Sequence, residues 1–135
     1  MTLRIIPWTL IIALAGILAG CSRTAAPTAS VSQSVAGMAV TLTTSPPAHT
    51  GDNTFVVTLA DAQTQAPIGN ANITVTPEML SPRLPGAPTS GRAQGNGVYN
   101  LPVRLGVATR YNIVLEIERP GRAKTEVSFP VEAAQ

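Results

Sequence analysis

Apart from the initiator, four side chains here carry soft or nucleophilic chemistry: one thiol, Cys21, one imidazole, His49, and two thioethers, Met38 and Met79. The acids are Asp52, Asp61, Glu78, Glu116, Glu118, Glu126 and Glu132, scattered along the chain. Catalysis needs a nucleophile or acid paired with a base at a fixed spacing, and no such pair is implied here. Asp61 is expected to cap a turn, and Glu116 and Glu118 to lie on a solvated strand face. There is no phosphate-binding glycine loop and no zinc signature. The chain therefore reads as non-enzymatic. Met79, Met38 and His49 could hold a soft ion such as copper only by converging from three loops or strand ends. A tight site takes three or four donors of suitable softness. Their plainer roles are a strand-start core residue for Met38, a gap filler for Met79 and an exposed loop residue for His49. No metal site is assigned, and these three remain its only candidates.

Cys21 has a more definite setting. It ends the run Leu18-Ala19-Gly20-Cys21, which resembles the lipobox cut by the lipoprotein signal peptidase. Arg4 supplies a positive start, and Ile5 to Gly20 carries no charge. Small residues precede the expected cleavage point. The run is shorter than the roughly 20 residues a membrane-spanning helix needs. In this reading the Cys21 thiol takes a diacylglycerol as a thioether, and further acyl chains make attachment durable. Met1–Gly20 is then a leader, and Cys21–Gly37 an acylated cysteine with a flexible tether. Met38–Gln135 is the folded domain. Ser22 after the cysteine fits an outer-membrane, periplasm-facing location. Trp8 is the only tryptophan and leaves with the leader.

Composition narrows the rest. Formal charge is +2 and only 12% of residues are charged, so no nucleic-acid footprint is present. Thr, Ala, Val and Pro are abundant, which favours strands over helices.

The folded part reads with a period of two. Met38, Val40 and Leu42 can face a core. Thr54–Ala60 is apolar on both faces and suits a central strand. Asp61–Asn70 is a turn, and Ile73 and Val75 start the next strand. Pro77–Gly97 holds four prolines and four glycines. Repeated proline argues for a long irregular segment, with at most a short edge strand around Arg92–Gln94. Loops of that length are usually functional or disordered. Tyr99, Leu101, Val103 and Leu105 alternate next, with Pro102 suggesting an edge. Tyr111, Ile113, Leu115 and Ile117 follow. Arg119-Pro120-Gly121-Arg122 suits a type II turn, and Thr125, Val127, Phe129 and Val131 return. About seven strands imply an immunoglobulin-like β-sandwich. Without a tryptophan or disulfide, its core must rest on Phe55, Tyr99, Tyr111, Phe129 and aliphatic residues.

Several stretches together resemble the YtkA-like family, itself related to FixH-like proteins. They are Phe55-Val56-Val57-Thr58-Leu59-Ala60-Asp61-Ala62, Pro67-Ile68, Ala71-Asn72-Ile73-Thr74-Val75-Thr76-Pro77, Gly95-Asn96-Gly97-Val98-Tyr99 and the strand Leu101 to Leu105. The resemblance covers roughly Asn53 to Val131. It implies a small immunoglobulin-like domain, often lipid-anchored or held behind a membrane anchor. Many relatives carry a Met- and His-rich run after the strand matching Ile73–Thr76, which implies copper handling or assistance to oxidase assembly. Here that loop retains only Met79, with Leu80 and Leu84 where sulfur would help. The reading that follows is a lipid-anchored envelope binding or structural module. It meets the membrane through its N-terminal lipid and a possible envelope protein through the Pro77–Gly97 loop or a sheet edge. Copper handling is the alternative.

Overall fold

The computed structural model describes residues 28–135, and the expected leader and Cys21 lie outside them. Ten strands form two antiparallel sheets packed face to face, with no helix among the described residues. The chain starts with β1 (Ala29–Val35), β2 (Met38–Thr44) and β3 (Gly51–Asp61). Next come β4 (Asn72–Leu80), β5 (Arg83–Pro85), β6 (Thr89–Ser90) and β7 (Arg92–Gly95). The long strands β8 (Val98–Leu105), β9 (Arg110–Glu118) and β10 (Thr125–Glu132) finish the domain. One sheet runs β1-β2-β3-β8-β7 and the other β10-β9-β4-β5, with β6 also paired to β4.

The alternation seen in the sequence becomes the two inner faces. Met38, Val40 and Leu42 are buried on β2, and Phe55, Val57 and Leu59 on β3. They meet Ile73 and Val75 on β4, Ile113, Leu115 and Ile117 on β9, and Phe129 on β10. Tyr99 and Phe55 are each about 1% exposed, so the aromatic core expected in place of a tryptophan–disulfide pin is present. β3 is central, between β2 and β8. The Arg122 N–H donates to the Arg119 carbonyl (3.1 Å), and Gly121 has φ +70°, as a type II turn requires.

Two boundaries differ from the sequence reading. Ala29–Val35, read there as tether, is a strand paired with β2 over its whole length. It lacks an apolar period because most of it is exposed. Its register is held by the backbone ladder and by hydroxyl pairs, Ser32 with Thr41 at 2.7 Å and Ser30 with Thr43 at 3.3 Å. The Gln33 amide also donates to the Ser128 carbonyl on the opposite sheet (2.7 Å).

The second difference is Pro77–Gly97, expected to be mostly irregular. Pro77 sits inside β4, opposite Ile113, and the segment beyond it adds β5, β6 and β7. The reason lies in the direction of its backbone groups. The Pro77 carbonyl faces away from β9 and accepts from the Gly86 N–H at 2.6 Å. A residue's nitrogen and carbonyl point to the same side of a strand, so the missing donor falls on the outer edge, where proline is tolerated. Pro82 lies in the β4–β5 turn, Pro85 ends the short strand β5, and Pro88 lies between β5 and β6, so none interrupts a long strand. β7 coincides with the short strand expected at Arg92–Gln94. Between β6 and β7 the chain crosses from one sheet to the other at Gly91. Its N–H donates to the Ile73 carbonyl (2.8 Å), and a Cβ there would lie 2.6 Å from Leu101 Cδ2. Any larger residue there would have to displace the buried Leu101 side chain.

Candidate contact site

Strand register divides the domain into two ends. β1 starts opposite Thr44, β3 starts opposite Leu105, and Met79 lies opposite Tyr111. One end thus gathers the β2–β3 loop, the β4–β5 turn, the β8–β9 turn and the C-terminus. The other end gathers the β1–β2 turn, the Asp61–Asn70 turn and the β9–β10 turn, since Met38 pairs with Asp61 and Asn72 with Glu118.

The two ends differ in chemistry. At the second, the Asp61 carboxylate accepts from the Gln63 and Thr64 N–H groups, each at 2.9 Å, so it caps its turn as expected. The Thr64 amide, then the Gln63 amide, hold this carboxyl below its ordinary value of 3.8. The groove at this end is lined by Arg119, Arg122 and Thr125 beside Ala36 and Met38. Lys124 pairs with Glu118 (2.9 Å) and Glu116 (3.1 Å) on an exposed face, the solvated role expected of both acids.

The first end carries exposed apolar side chains and is called the apolar end. A cleft of about 280 Å³ opens between the β4–β5 hairpin and the β8–β9 turn. Pro77, Met79, Leu84, Pro85, Val107 and Tyr111 line it, with Arg104 at its margin. Leu84 is 58% exposed and Val107 51%. Two tethers hold the cleft's shape. The Tyr111 hydroxyl donates to the Val107 carbonyl (3.0 Å) and accepts from its N–H (3.2 Å), fixing the β8–β9 turn. Arg83 and Glu78 form an ion pair at 2.5 Å across the β4–β5 hairpin. Arg104 is committed to Asp52 at 3.2 Å. β8 pairs with β7 only as far as Asn100, so the stretch holding Pro102 is open on its outer side, as the proline implied.

The three candidate metal ligands do not come together. His49 and Met79 lie at the apolar end, and Met38 lies at the other. Ten residue steps along β3, about 34 Å, separate those ends. His49 belongs to a separate loop, where its N–H donates to Asn53 Oδ1 (3.0 Å) and its carbonyl accepts from the Asn53 amide (2.7 Å). Met38 is 1% exposed and packs in the core. Among the described residues no three His, Cys, Asp or Glu side chains cluster as a metal site. The donor set Met79, Met38 and His49 therefore does not fit one copper ion, which needs its donors within a single coordination shell.

The YtkA-like family model matches residues 32–116, most of both sheets. The chain belongs to the YtkA-like family. No individual curated protein matches it. The matched span of this YtkA-like domain begins inside β1, which supports counting that strand as part of the fold. Sequence reasoning pointed to the Pro77–Gly97 segment and to Leu80 and Leu84, but not to Val107, Tyr111 or Arg104 as their neighbours. The available signal for Val107 was a lone large apolar residue in the turn Gly106-Val107-Ala108-Thr109, which no strand period explains.

Proposed function

We propose that this YtkA-like protein is a lipid-anchored, non-catalytic contact module of the bacterial envelope. Cys21 carries the lipid, and the apolar end of the sandwich makes the contact. The observation that carries this reading is the exposure of Leu84 and Val107 on either side of one apolar cleft. Soluble domains usually bury such residues or use them in contacts when they adjoin one another. The acids at this end are Asp52, paired to Arg104, Glu78, paired to Arg83, and Glu132 on an edge strand. None faces a base across the cleft, which supports binding rather than turnover.

The test is photo-crosslinking in living cells from a reactive side chain placed at position 84, 107 or 63. Adducts at 84 and 107 but not at Gln63, together with loss of membrane attachment in Cys21→Ser, are expected. Equal labelling from all three positions would remove the contact surface. A Cu(I) titration that shifts the Met79 methyl signal stoichiometrically would replace contact with metal handling.

A further inference from the structure

We propose that the apolar end docks onto the lipid bilayer that holds the anchor, so that the domain stands on the membrane with its polar end outward. This deepens the contact reading above and rests on its lipid at Cys21. Four large apolar side chains stay exposed among the described residues: Val31, Leu80, Leu84 and Val107. All four lie in the half of the sandwich nearest the apolar end. Leu84 and Val107 flank the cleft, and Leu80 is the last residue of β4 beside the β4–β5 turn. Val31 lines a second shallow apolar cleft of about 230 Å³, with Pro47 and Val131, on the opposite open side of the sandwich. No exposed large apolar side chain marks the other end among the described residues.

The chain outside the fold reaches the same end. β1 begins at Ala29, opposite Thr44, so the polypeptide arriving from Cys21 joins the domain where these side chains are exposed. Eight residue steps separate Cys21 from Ala29, at most about 29 Å of extended chain. That is shorter than β3, which runs about 34 Å. The anchor thus holds the apolar end near the interface and leaves the polar end free to face outward. A short tether also sets an effective concentration on the order of millimolar, so a weak intrinsic affinity for lipid is sufficient. Charge adds little, because Arg83 and Arg104 are paired with Glu78 and Asp52, and Arg110 stands opposite Glu132 on β10, so the cations at this end are matched by acids. Apolar insertion at the headgroup boundary, rather than attraction to anionic lipid, is the contact.

The mature chain lacks tryptophan once the leader is removed, so one introduced indole is a clean reporter. Full-length Leu84→Trp, Val107→Trp and Gln63→Trp are purified from envelopes. They are placed in vesicles of phosphatidylethanolamine and phosphatidylglycerol, with and without brominated acyl chains. Intact mass of the mature protein reports the lipid independently. The expected result is blue-shifted emission at 84 and 107 that loses most of its intensity with brominated chains, and water-like, unquenched emission at 63. Water-like emission at all three positions on acylated protein overturns docking while the anchor stands. Emission at 84 that shifts only in native envelope vesicles assigns the surface to a protein and also overturns docking. A mature mass without acyl chains overturns the anchor and the docking with it.

Discussion

The Tyr99 hydroxyl ties a turn to the core. Buried on β8, it donates to the Ile68 carbonyl (2.8 Å) and accepts from the Ala71 N–H (3.1 Å). Ile68 and Ala71 are 6% and 8% exposed, so water cannot easily replace the hydroxyl. Tyr99→Phe keeps the ring and leaves one buried donor and one buried acceptor without partners. Each such group costs on the order of 1–3 kcal/mol, and slight relaxation of the turn brings the sum to about 2 kcal/mol. For a domain of this size that lowers the melting temperature by roughly 8–16 °C. The comparison is Tyr111→Phe, whose hydroxyl bonds both groups of Val107, a residue half open to solvent. There water substitutes, and the loss should be about 1 kcal/mol or less. Urea unfolding of both variants gives the two differences, and amide exchange at Ala71 should accelerate only in Tyr99→Phe. Equal destabilisation by the two variants, or unchanged exchange at Ala71, would refute the claim that buried pairing sets the difference.

Three further outcomes follow from local geometry. Gly97 has φ +73°, and a Cβ there would sit 2.4 Å from the Leu59 carbonyl oxygen, so Gly97→Ala should cost roughly 2–4 kcal/mol in urea unfolding. Ala36 holds φ +48° at the first position of the two-residue β1–β2 turn, where asparagine is preferred. Ala36→Asn should stabilise by about 0.5–1 kcal/mol, read as a higher urea midpoint with an unchanged slope. Asp61 is held below its ordinary 3.8 by the Thr64 and Gln63 amides, so its folded-state pKa is below its unfolded one. Its contribution is full above 3.8 and is lost as pH falls through the lower folded value. Asp61→Asn should flatten the urea midpoint against pH in that acid range alone, and an unchanged slope there would remove the assignment.

Much of the core was legible because a strand with one buried face leaves a period of two in its residue types. Phe55, Val57 and Leu59, or Tyr99, Leu101, Val103 and Leu105, declare their face before any neighbour is known. β1 was illegible for the same reason reversed. Its residues Ser30, Ser32 and Ser34 bury almost nothing, and pairing through backbone and hydroxyl groups leaves no apolar pattern. Pro77 misled because a proline's cost depends on which side of the strand its nitrogen faces, and that side is set by β9 and by the Gly86 N–H.

The site divides along the same line. By itself the sequence determined an all-β chain with a lipobox-like Cys21, too few soft ligands for an obvious metal site, and a suspicious Pro77–Gly97 segment. These are properties of residue type and spacing. Only the tertiary structure decided that Met38 lies a strand's length from Met79 and His49, and that Val107 faces Leu84 across a cleft. It also placed β1, and with it the arriving chain, at the apolar end. Those facts follow from antiparallel register, which brings residues distant in sequence to one end of a sandwich and cannot be read from either strand alone.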